Sequence, residues 1–173
     1  MKTTKNNYMP AKLNKIKNRE VPNDIFLTPP LLAKTAIDMI ETNANDVWFD
    51  PFKNTGNYYN QFPTTNKVYT EILEDKDFFE FEGDVDVICS NPPYSMLNKI
   101  IKKSIELNPR VINYLIGVLN LTPRRIEMME KAGYGLSKIH MCKLSKFGGW
   151  CQFIVQFEKN KEGILSYDRV VWK

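Results

Sequence analysis

Val85-Asp86-Val87-Ile88-Cys89-Ser90-Asn91-Pro92-Pro93-Tyr94 is the stretch whose reading decides the fold. Residues 85–89 are short, apolar and rich in β-branched side chains, the pattern of a buried strand. Pro92 and Pro93 cannot donate to a strand ladder and fix the backbone, so the strand must stop there. Beyond the stop, Leu97, Ile100, Ile101, Ser104 and Ile105 recur at helical spacing. Strand, rigid turn and helix follow one another within about twenty residues.

The same grammar repeats on either side. Thr28-Pro29-Pro30 predicts a helix start with Thr28 as the capping hydroxyl, and Leu32, Ala33, Ala36, Ile37 and Ile40 continue it. Val47-Trp48-Phe49 reads as a buried strand ending at Asp50-Pro51, and residues 67–73 as a second strand. Residues 111–119 form another apolar strand. Thr122-Pro123 opens a further helix, in which Glu127 and Lys131 pair at i,i+4 before Gly133 or Gly135 stops it. Residues 137–144 and 151–157 read as a hairpin around Gly148-Gly149. Alternating strands and helices predict an α/β fold, its first strands parallel and its end an antiparallel hairpin. In such sheets ligands sit beyond the carboxyl ends of the strands. The polar residues at those ends are Asp50, Glu71 and the run from Ser90 to Tyr94.

Composition narrows the class. With 173 residues, 43% hydrophobic and 25% charged, the chain has the makings of a single soluble domain. No apolar run approaches the roughly eighteen residues of a membrane span, and the N-terminus has no apolar signal core. The three cysteines (Cys89, Cys142, Cys151) and one His form no metal-ligand pattern, which predicts no metal and a reducing, cytoplasmic setting. His140 and Cys89 read as structural strand residues. Formal charge is +4, yet Lys2, Lys5, Lys12, Lys15, Lys17 and Arg19 precede any acid, leaving the rest of the chain slightly negative. Such an arm reads either as a solvated terminus or as a contact to nucleic-acid phosphates.

At the carboxyl end of a buried strand, Asn91-Pro92-Pro93-Tyr94 pairs an amide side chain with carbonyl oxygens that no neighbouring amide competes for. Two rigid acceptors beside an aromatic face suit a planar group bearing an NH2. Together with Asp50-Pro51-Phe52 some forty residues earlier, the motif resembles S-adenosylmethionine-dependent amino-methyltransferases, above all DNA adenine-N6 methyltransferases, including the small ones of phages. The likeness extends over about residues 24–157.

The resemblance implies a Rossmann-like class I methyltransferase fold, S-adenosylmethionine as cofactor and DNA as partner. Its adenine would be single-stranded or flipped out of the duplex. Residues 1–22 are then a basic arm and residues 23–173 one catalytic domain, with no separate target-recognition domain. A partner subunit could therefore supply sequence recognition. The resemblance implies roles residue by residue. Phe26 and Thr28, in Phe26-Leu27-Thr28-Pro29, would pack around the methionine part of the cofactor. Asp50-Pro51-Phe52-Lys53-Asn54-Thr55-Gly56 resembles the D-P-F-x-G-x-G cofactor loop, with Asn54 in place of its first glycine. Glu71 would bind the ribose hydroxyls, and Asp77 and Phe78 would lie at the adenine ring. Asn91, Pro92, Pro93 and Tyr94 would form the catalytic loop. Tyr94 would stack on the target base, with Phe147 or Trp150 covering its other face unless these pack within the hairpin. Protein glutamine-N5 and RNA guanine-N2 methyltransferases present similar loops. An inactive nucleic-acid-binding subunit is the reading from outside the enzymes.

Overall fold

The structure is a computed structural model and describes residues 27–143 and 151–167. The basic arm, Phe26, Phe147 and Trp150 lie outside the described residues. Among the described residues, three helices, α1 (Pro30–Asp38), α2 (Leu97–Glu106) and α3 (Pro123–Lys131), accompany six strands. These are β1 (Trp48–Asp50), β2 (Lys67–Tyr69), β3 (Val87–Ser90), β4 (Val111–Gly117), β5 (Tyr134–Lys143) and β6 (Cys151–Lys159). They form one sheet in the order β2-β1-β3-β4-β6-β5. β2, β1, β3 and β4 are parallel, while β6 is antiparallel to both β4 and β5. The predicted parallel sheet with a terminal hairpin is the sheet observed.

Alternation along the strands explains the layering. Successive side chains point to opposite faces of a strand, so each strand feeds two cores. Trp48, Val87, Cys89, Val111, Leu115 and Ile154 face α1, which buries Ala33, Ala36 and Ile37 against them. Phe49, Ile88, Ile112, Tyr114, Ile116 and Val155 face the other way, onto Leu97, Ile100 and Met129 from α2 and α3. With both faces covered, β3 is buried along its whole length. Beneath α1, Asn113 and Gln156 are both buried. Asn113 Nδ2 donates to Gln156 Oε1 (3.2 Å) and Ala36 O (3.3 Å), so the polar pair is satisfied internally.

Several boundaries differ from expectation for local reasons. Pro29 rather than Thr28 is the residue at the start of α1, and no side chain caps it. The proline ring presets the first turn and removes a donor that would need a cap, which frees the Thr28 hydroxyl for another use. β2 ends at Tyr69, because Glu71 accepts from Leu73 N and folds residues 72–74 into a 3-10 turn. β4 ends at Gly117, and Val118–Asn120 form another such turn. Gly133, at φ 85°, is the helix stop, while Gly135 lies within β5. β5 begins earlier than expected, at Tyr134, and β6 runs past its expected end to Lys159. No helix among the described residues is long and apolar enough to cross a membrane.

Candidate active site

The loops after β1, β2 and β3 meet at the carboxyl edge of the sheet and enclose one cavity. After β1, the chain must turn back sharply, and two left-handed residues do it: Asn54 at φ 45° and Gly56 at φ 84°. Asn is the non-glycine residue that tolerates this region best, so the departure from glycine at 54 keeps the loop shape. A Cβ on Gly56 would stand 2.7 Å from Asn60 Nδ2. The start of the loop is tied to Thr70. Lys53 N donates to Thr70 O (3.2 Å), and Thr70 Oγ1 to Pro51 O (2.7 Å).

Asp50 stands behind this loop rather than on the cavity wall. It is fully buried, and its carboxylate accepts from Ser90 Oγ (2.6 Å), Tyr59 N (3.2 Å) and Phe52 N (3.3 Å). The group therefore joins the ends of β1 and β3 and shapes the loop between residues 52 and 59. Burial pushes its carboxyl up to about 7, against the pull of those three hydrogen bonds.

Glu71 does reach the cavity. Its Oε2 accepts from Asn54 N at 2.6 Å and its Oε1 from Leu73 N at 3.1 Å, which sets the carboxylate beside the β1 loop. Asp77 Oδ1 accepts from Phe79 N at 2.9 Å, capping the turn that carries Phe78. Phe78 is buried, edge-on to Phe52 with ring centres 5.3 Å apart. Pro51, Phe52, Glu71, Asp77 and Phe78 are thus brought together in the lining of the cavity. Gly56 lies just behind it.

Asn91, Pro92, Pro93 and Tyr94 line the same cavity. Asn91 Nδ2 donates to Thr28 Oγ1 at 3.1 Å, and Thr28 is buried at the same end of the cavity. Tyr94 is anchored at its far end, where its hydroxyl donates to Gln152 Oε1 on β6. Burial holds this phenol above its ordinary range, so it remains a neutral donor.

Sequence reasoning missed part of the lining. Ile72, Phe79 and Met96 add apolar wall, and Asn57 and Tyr58 close the end beside Thr28. Tyr58 is buried, and its hydroxyl stands beside the Thr28 side chain with no acceptor for its own proton among the described residues. Burial keeps it protonated. An aromatic run such as Tyr58-Tyr59 carries no periodic signal that separates a lining residue from a core one. Arg125 binds Asn98 Oδ1 and the Asn120 backbone carbonyl, which places it on the α2–α3 contact.

No protein-family model matches the chain, and no curated protein matches it. Solved structures do resemble it. Precorrin-6y C5,15-methyltransferase from Geobacter metallireducens matches at TM-score 0.58 and 14% identity, over 77% of this chain and 90% of that one. PH1948 from Pyrococcus horikoshii, a candidate RNA methyltransferase, matches at TM-score 0.59 and 16% identity, over 90% of this chain and 98% of that one. A modification subunit of a candidate type I restriction enzyme from Vibrio vulnificus matches at TM-score 0.56 and 11% identity, over 89% of this chain and 48% of that one. One fold thus carries three different tasks, so the fold alone does not choose a substrate. The sheet order, the terminal hairpin and these likenesses identify the architecture as the Rossmann-like class I methyltransferase fold.

Proposed function

We propose that this chain transfers a methyl group from S-adenosylmethionine to the N6 amino group of adenine in DNA. One observation carries the reading: Asn91-Pro92-Pro93-Tyr94, the 51–55 loop and Glu71 all line a single cavity. The residues suit this cofactor. Glu71 offers carboxylate oxygens for ribose hydroxyls, Ile72, Phe78 and Phe79 offer an apolar slot for its adenine, and Asp77 stands at the slot's edge. Thr28 and Asn57 provide polar groups at the opposite end.

When bound, S-adenosylmethionine supplies an electrophilic methyl group on a sulfonium centre. The chain's own work concerns the amine. An adenine NH2 is a poor nucleophile because its lone pair is delocalised into the ring. Acceptance of its two hydrogens by Asn91 Oδ1 and the Pro92 carbonyl favours a pyramidal nitrogen with a localised lone pair. The same two dipoles stabilise the positive charge that grows on nitrogen as the new bond forms. Held beside the methyl, the nitrogen gains the advantage of proximity. The proton then leaves to water, so no histidine base is required. Tyr94 contributes a ring face against which a flipped base stacks.

The test is a methyl-transfer assay with labelled S-adenosylmethionine on DNA, RNA and protein, followed by identification of the modified residue. N6-methyladenine in DNA, lost in Asn91→Ala, is the expected result. N2-methylguanine in RNA, N5-methylglutamine in protein, or full activity of Asn91→Ala overturns the proposal.

A further inference from the structure

Thr28 belongs to neither strand end of the site, yet two of the site's loops converge on it. Asn57, six residues beyond Pro51, donates from Nδ2 to the Thr28 carbonyl at 2.8 Å. Gln61 extends the strap, donating to Pro30 O at 3.0 Å. The Thr28 backbone is therefore held by the segment that follows β1. Its hydroxyl, left unused as a helix cap, accepts from Asn91 Nδ2 at 3.1 Å. Sixty-three residues separate the two, and Thr28 is 5% exposed.

An amide has a donor end and an acceptor end of nearly the same size. If Asn91 rotated by half a turn about its last bond, its NH2 would face the substrate amine. Donor would then oppose donor, and the group could no longer favour a localised lone pair on the nitrogen. Packing alone discriminates poorly between the two orientations, because nitrogen and oxygen differ little in volume. A hydroxyl can donate as well as accept, so it discriminates when its own proton has another partner, and the Thr28 side chain also interacts with the Tyr58 hydroxyl.

We propose that Thr28 is a positioning residue that sets the orientation of the Asn91 amide: its hydroxyl captures the NH2 end and thereby turns the oxygen toward the target amine. This inference rests on the role given to Asn91 above. It differs from a methionine-contacting role for Thr28, which would act on cofactor affinity. Because Asn57 anchors the same residue from the β1 loop, the cofactor-side loop and the amine-side loop share one fixed point.

The experiment compares full-length wild type, Thr28→Val and Thr28→Ser for kcat, cofactor affinity by calorimetry, and thermal unfolding. Valine keeps the shape and removes the acceptor, while serine keeps the acceptor. Loss of one orienting hydrogen bond should lower kcat about tenfold in Thr28→Val. Cofactor Kd should change by less than about twofold, and Thr28→Ser should recover at least about a third of the rate. A second arm uses Asn91→Asp, whose two oxygens make orientation irrelevant. In that background Thr28→Val should change the remaining rate by less than about twofold. Wild-type kcat in Thr28→Val, a loss carried wholly by cofactor Kd, or no rescue by serine overturns the proposal. Full activity of Asn91→Ala instead points to failure of the parent reading, so the two failures are distinct.

Discussion

The Tyr94 hydroxyl donates to Gln152 Oε1 at 3.1 Å, tying the loop after β3 to a strand two places away in the sheet. The ring passes over Gly117, which pairs with Gln152 in the β4–β6 ladder. A Cβ on Gly117 would stand 3.5 Å from Tyr94 Cε2 and 3.2 Å from Asn120 Nδ2. The ring proposed to stack on a base is thus seated on a glycine and pinned at its tip.

Gln152→Leu should leave the Tyr94 hydroxyl without its acceptor in a mostly buried place, at a cost of about 1–3 kcal/mol. Adding Tyr94→Phe to that variant should recover part of the loss, a coupling of about 1 kcal/mol in a denaturation cycle. Tyr94→Phe keeps the ring and should retain methyl transfer, whereas Tyr94→Ala should lose it. Additive effects of Gln152→Leu and Tyr94→Phe would show that the bond does not hold the ring.

These pairings mark the boundary of what a single sequence discloses. β1, β3 and β4 were legible because apolar, β-branched runs bounded by turn residues have few alternatives. The loop at Asn54 was legible because the residues that accept a left-handed backbone are few. Partners 58 and 63 residues apart, such as Tyr94 with Gln152 and Asn91 with Thr28, leave no local pattern. Asp50 illustrates the intermediate case. Its place at a strand end was readable, but its burial depends on Ser90 and on an amide nine residues further along.

That burial has a consequence with pH. The Asp50 carboxyl rises from an ordinary 3.8 to about 7, so the folded protein binds its proton more tightly than the unfolded chain does. Its contribution to stability is full below the unfolded value and is lost as pH rises through about 7. Asp50→Asn cannot titrate. In urea unfolding, wild type should lose stability relative to Asp50→Asn between about pH 4 and about pH 7, and hold level above that. Parallel profiles would place the Asp50 pKa at its ordinary value.

Asn54 tests the loop. Its φ of 45° and the 2.6 Å bond from its amide to Glu71 Oε2 are backbone properties that glycine can reproduce. Asn54→Gly should therefore keep cofactor affinity within about threefold, and Asn54→Ala should cost about 1 kcal/mol of stability. Calorimetry and denaturant unfolding read the two effects. Equal stability in the alanine variant would mean that position 54 does not require the left-handed conformation.

If DNA is the substrate as proposed, the basic residues from Lys2 to Arg19 are candidates for grip rather than chemistry. Phosphate contacts release counterions, so affinity from this source falls with salt and is indifferent to sequence. Replacing all six by glutamine should weaken DNA binding and flatten the plot of log affinity against log salt, by up to about five in slope if each meets a phosphate. Cofactor affinity should not change. An unchanged slope would assign the DNA contacts elsewhere.

Tyr58 offers the sharpest separation of stability from binding. Its buried hydroxyl stands beside the Thr28 side chain but its own proton has no acceptor among the described residues, and burial keeps it a neutral phenol. An unmet buried donor costs about 1–3 kcal/mol in the ligand-free protein. Tyr58→Phe removes that cost while preserving the ring packed against α1, so the ligand-free variant should melt at a higher temperature. The hydroxyl belongs to a residue on the cavity wall beside Thr28, at the end assigned above to the methionine part of the cofactor. A carboxylate or carbonyl arriving there would give it an acceptor, and the variant should then bind S-adenosylmethionine about tenfold more weakly in calorimetry, the effect of about 1.4 kcal/mol. A lower melting temperature would mean that the hydroxyl is already satisfied within the protein. A higher one with unchanged affinity would mean that no ligand group reaches it.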